Sequence, residues 1–155
     1  NFLNLEELVS PHSSLTKQMN ILETAKYLVL TIFNEALNEF GQDLKNEQML
    51  GESLADCFMD IYATDSTLSR VNQQVESNGH HSVLIQIAQA LTAETSLKIL
   101  NRALLSLNDI YHGKVPPDVM ELYNTFQHRM LPRADVSQLK REIAEYVYLQ
   151  RKYPF

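Results

Sequence analysis

The sequence predicts an all-α fold: an up-down helical bundle of three long antiparallel helices plus two shorter C-terminal helices. Three observations predict it. Apolar residues recur at helical spacing through three long stretches. Only four glycines and five prolines punctuate 155 residues, and they fall mainly between those stretches. The residues filling the stretches are largely good helix formers, and an apolar share of 45% is ample for a core.

Residues 1–13 read as a lead-in or linker, ended by Pro11, which disfavours helix at Ser10. Its apolar residues Phe2, Leu3, Leu5 and Leu8 precede any cap, and Asn stands first, so the chain reads as a piece of a longer polypeptide. Residues 14–155 read as one helical-bundle domain. Ser13 or Ser14 can cap a first helix, on which Leu15, Met19, Leu22, Val29, Ile32, Ala36 and Phe40 keep helical spacing. Gly41 supplies its stop. The second helix is expected from about Glu47 to Ser77, with Asn46 as N-cap and Glu47 placing a negative charge in the first turn. Leu54, Ile61, Leu68 and Val75, with Leu50, Cys57 and Val71 between them, form its packing seam. Asn78-Gly79 is a turn, and a third helix follows from about Ser82 to Tyr111. Beyond Gly113, Pro117 suits the first position of a fourth helix that ends near Met130. Asp135 caps a fifth through about Arg151, with Leu139, Ile143, Tyr146 and Val147 on one face.

Charge and composition exclude several functions. A net charge of −6 with no basic stripe argues against a nucleic-acid or anionic-membrane surface. The longest apolar run, Tyr27 to Phe33, falls far short of the ~20 residues of a membrane span, so no transmembrane segment is expected. The single cysteine, Cys57, sits on the seam as a small core residue, which rules out an internal disulfide and implies a reducing compartment. The five histidines are scattered, and adjacent His80-His81 makes a poor metal clamp. The four glycines are isolated, without the loops in which backbone approaches phosphate. No catalytic residue and no metal ligand emerges.

The informative polar residues lie on the second helix. Glu52, Asp56 and Asp60 fall four apart in one row, a pattern open to metal binding but read here as structural, since the paired Glu-x-x-His of a di-iron bundle is missing. Like charges at that spacing cost ~0.2–0.5 kcal/mol per pair, so a counter-charge is needed from another helix. Folding back about Gly79 brings positions 60 and 98 level, and 56 and 102, which nominates Lys98 for Asp60 and Arg102 for Asp56. Arg70 has no acidic residue three or four positions away, so its partner is another part of the fold, a further domain, or water. Tyr62, one residue off the inward row, is expected to bury its ring with the hydroxyl at the edge.

Asn46-Glu47-Gln48, Leu54-Ala-Asp56, Asp60-Ile-Tyr62-Ala and Leu68-Ser-Arg70 occur in that order within one helix. Together these four words resemble the extra C-terminal domain of very-long-chain-type acyl-CoA dehydrogenases, including the paralogue associated with respiratory complex I assembly. The turn Ser10 to Leu15 and the ending Leu139 to Phe155 are similar to the opening and the last helix of that domain.

The resemblance implies an accessory helical domain, without chemistry of its own, that packs on the catalytic body of a parent chain and influences oligomerisation or partner docking. FAD and the glutamate base of fatty acid β-oxidation would belong to that flavoprotein parent, a homodimer, and no cofactor to this piece. The bacterial cytoplasm is the expected compartment, with the mitochondrial matrix as alternative. The competing reading is a free-standing helical adaptor whose grooves bind a partner helix.

Overall fold

A computed structural model describes residues 15–78 and 82–151. It contains α1 (Thr16–Phe40), a 3₁₀ turn (Gly41–Asn46), α2 (Gln48–Asn78), α3 (Ser82–Ile110), α4 (Pro117–Met130) and α5 (Val136–Gln150), with no strand among the described residues. The lead-in, the Ser13/Ser14 cap, Gly79 with His80 and His81, and the last four residues lie outside that set.

Gly41 ends α1 with φ +54°, a left-handed conformation that side chains other than glycine adopt with strain. The chain then tightens into the 3₁₀ turn. This turn displaces the expected N-cap. Asn46 is still inside it, whereas the Glu47 N–H donates to Leu44 at 3.0 Å and the Glu47 carbonyl accepts from Gly51 at 2.9 Å. Glu47 therefore stands where the first α-helical bond begins, and Asn46 lacks the half-helical position that capping requires.

The long helices are antiparallel in sequence order. Between α2 and α3, the Ser53 and Ser106 hydroxyls lie 3.1 Å apart, as do those of Thr64 and Thr95, so rising numbers on one helix meet falling numbers on the other. Lys26 reaches Asp65 across α1 and α2 at 3.6 Å. The predicted seam is inside: Leu50, Leu54, Cys57, Ile61, Leu68 and Val71 are buried and Val75 packs against the core.

The packing centre is α3, which touches all four other helices. Its buried positions include Ala88, Ala93, Thr95, Ser96 and Ala103, small residues that let neighbours approach on several sides. By length and composition α3 is also the one described helix able to cross a membrane, but that apolar character is spent on contacts within the bundle.

The fourth side is filled by α4 and α5 in succession, running back along α3. The Tyr123 hydroxyl donates to the Leu100 carbonyl at 3.1 Å, the Gln86 amide donates to Glu142 at 2.5 Å, and Lys140 pairs with Glu94. The break between them contains Pro132, which cannot donate to a helical bond. Leu139, Ile143, Tyr146 and Val147 are half-buried, and no residue of α5 is fully buried. Its start consequently depends on its cap, where the Asp135 side chain accepts from the Gln138 N–H at 2.9 Å. Asp135→Ala should cost ~1 kcal/mol. Amide hydrogen exchange checks this: residues 136–139 should exchange faster while the middle of α3 keeps its protection.

Candidate functional site

The polar centre of the bundle is a clamp between α2 and α3. Arg102 reaches both predicted carboxylates: its Nη2 lies 3.2 Å from Asp56 Oδ2 and its Nη1 2.5 Å from Asp60 Oδ2. The planar guanidinium presents separate donors to the two acids, which a single ammonium could not match as well. Partial burial works against the cation, but the Asp60 hydrogen bond and the charges of Asp60 and Asp56 outweigh it and hold its pKa above the usual arginine value.

The expected pairing of Lys98 with Asp60 does not occur. Lys98 is exposed and makes no ion pair among the described residues. Level along the axis is not enough: four residues advance an α-helix by about 400°, so Lys98 is turned some 40° around α3 from Arg102. Glu52, one turn before Asp56, is exposed and outside the clamp. Cys57 lies beneath it, buried, and burial pushes its thiol up to about 11 even though Arg102 acts in the opposite direction. Such a thiol stays protonated at neutral pH and packs as an apolar group.

Tyr62 is a second correction. It is 76% exposed, because one residue beyond Ile61 is a 100° rotation away from the seam. Arg70 is exposed and has no ion pair among the described residues. Glu47 forms part of an open cavity of about 460 Å³ at the end of the bundle, with Phe40, Met49, Leu50, Asn108, Asp109 and His112, while Gln48 opens α2 and is exposed.

Chemically, the clamp ties two helices at fixed register. Both acids pair with one arginine, Asp60 through a hydrogen bond and Asp56 through an ion pair, so neither is poised as a free base. No group of three or more His, Cys, Asp or Glu among the described residues is arranged to hold a metal.

Residues 24–115 match the family model described as acyl-CoA dehydrogenase, C-terminal domain, which is more than half of the chain. The chain belongs to this family. No curated protein and no solved structure matches the chain. Within this acyl-CoA dehydrogenase C-terminal domain the matched stretch takes in most of α1, all of α2 and α3, and hence the whole clamp.

A second polar contact in this domain was not legible in sequence. The Tyr111 hydroxyl donates to Glu35, tying the end of α3 to α1 across 76 positions, and no local motif announces it. The hydrogen bond to Glu35, burial, and the charges of Glu35, Glu39 and Asp118 push the phenol up from 10.0 to about 12. The folded state thus holds this proton more tightly than the unfolded chain, so the stability it contributes is present below pH 10 and is lost as pH rises toward 12. Urea unfolding across that interval should show a steeper loss of stability for the unaltered protein than for Tyr111→Phe.

Proposed function

We propose that this chain is the accessory helical domain of an FAD-dependent, very-long-chain-type acyl-CoA dehydrogenase, and that it packs on the catalytic body of that enzyme and influences its oligomeric state. The family match over residues 24–115 carries the reading. The four words between Asn46 and Arg70 support the very-long-chain type. The clamp fits such a role: Arg102, Asp56 and Asp60 hold α2 and α3 as one rigid unit, suited to present a fixed surface.

In this reading the catalytic base and the flavin, and with them fatty acid β-oxidation, reside in the catalytic body. The enzyme is a homodimer in which the helical domain occupies space that a second dimer would otherwise take. Residues 14–155 act as one domain, and the compartment is the reducing bacterial cytoplasm or, alternatively, the mitochondrial matrix. Exposed Arg70 and the wall of the Glu47 cavity are available for contacts with the body.

Co-producing this chain with the flavin-containing body of a very-long-chain acyl-CoA dehydrogenase, as separate polypeptides, tests the proposal. Sedimentation should show a complex built on a dimeric body. Failure to associate, or a body whose oligomeric state ignores the chain, would overturn it.

A further inference from the structure

Where α1 meets α2, one strip of the surface carries no charge. Leu30, Phe33 and Leu37 are exposed along α1, and Phe58 and Tyr62 along α2. Lys26 and Asp65 stand 3.6 Å apart on the same two stripes, so the stripes border one another. Within residues 30–37 and 58–62 the charged side chains are Glu35 and Asp60, and both turn instead to α3, to Tyr111 and Arg102. In a chain of net charge −6 this leaves an uncharged strip holding the rings of Phe33, Phe58 and Tyr62. Depletion of charge with enrichment of aromatic residues is what sets the centre of a protein interface apart from other surface.

We propose, building on the accessory-domain reading above, that this strip is the face by which the domain meets the catalytic body, and that it docks there against an apolar surface equally free of charge. A charge on the opposing surface would lose its water without gaining a partner. Size decides between occupants. The five side chains are 38–76% exposed; at ~150–250 Å² for an aromatic side chain they offer about 500 Å², or about 1,000 Å² counting both partners. Interfaces between domains of one chain bury ~600–1,500 Å², whereas stable complexes of separate molecules bury ~1,200–2,000 Å². The strip therefore suits a partner that covalent linkage holds at an effective concentration of about millimolar, and is small for a second copy captured from dilute solution. Charge acts in the same direction, since two copies at −6 each repel.

The test joins the 155-residue chain behind the flavin-containing body of a very-long-chain acyl-CoA dehydrogenase. A benzophenone-bearing phenylalanine replaces Tyr62 in one sample and Leu105, on α3, in another; at 76% and 57% exposure both positions accept it without disturbing the core. Irradiation and peptide mapping should link position 62 to the body at several times the yield of position 105. Leu30→Asp, on the neighbouring stripe, should lower the yield from position 62 severalfold while the helical circular dichroism is kept. If chain and body associate in the co-production experiment above but position 62 does not link to the body, the face is wrong and the accessory-domain reading stands. If they do not associate, that reading fails and the face with it. Links from position 62 to the helical domain of another molecule, recognised by mixing isotope-labelled and unlabelled chains, would make the occupant a second copy and also overturn the proposal.

Discussion

Ile99→Ala should lower stability by about 3 kcal/mol, within the ~2–5 kcal/mol that large-to-small changes cost in a close-packed core. For a protein of this size that corresponds to a fall in Tm of about 6–12 °C. Ile99 is fully buried on α3, the helix that touches every other, so the cavity cannot be closed by moving one neighbour. Leu97, two residues away on the same helix, is 46% exposed, and Leu97→Ala should cost well under half as much. Thermal unfolding of the two variants side by side checks both the size of the effect and the claim that α3 is the centre.

The second large effect is expected at the clamp. Arg102→Ala removes the shared partner of Asp56 and Asp60 and leaves two carboxylates one helical turn apart. Hydrogen bonds to charged groups contribute ~1.5–3 kcal/mol, and partial exposure of all three residues discounts that, giving about 1–2 kcal/mol. Asp60→Asn should recover part of the loss in the Arg102→Ala background, because it removes the repulsion that the arginine had offset. Lys98→Ala should stay within about 0.5 kcal/mol. If urea unfolding instead showed Lys98→Ala as the costly change, the assignment of the counter-charge would be wrong.

The contrast between Arg102 and Lys98 shows where sequence reading succeeds and stops. Register along the fold-back placed cations level with Asp56 and Asp60, because antiparallel helices of equal rise keep that relation over several turns. It did not say which cation faces the acids, since the rotation of α3 about its own axis is set by packing with three further helices. Cys57 and the seam of α2 were legible for the opposite reason: a helix with one buried stripe writes its orientation into its period. The same preference for one stripe drew attention to α2 and away from α3, whose burial on several sides blurs any period. Asn46 misled because a capping residue type was present while the 3₁₀ turn after Gly41 carried the true boundary one residue on. The tie from Tyr111 to Glu35 had no signal at all, joining residues that only the completed bundle brings together.

As for function, the family was written in four short words running from the 3₁₀ turn into α2 and in the longer match over residues 24–115. The clamp explains part of why those words are chemical as well as textual: Asp56 and Asp60 each sit in one of them, and both require the arginine of the next helix.

Titrating the 155-residue chain by itself with FAD and a long-chain acyl-CoA thioester, while following flavin fluorescence and the reduction of an electron-accepting dye, bears most directly on the assignment of chemistry. The flavin signal should stay that of the free cofactor and the dye should stay oxidised under the proposed division, which assigns both flavin binding and dehydrogenation to a separate catalytic body. A stoichiometrically bound flavin, or dye reduction that depends on the thioester, would contradict an accessory role.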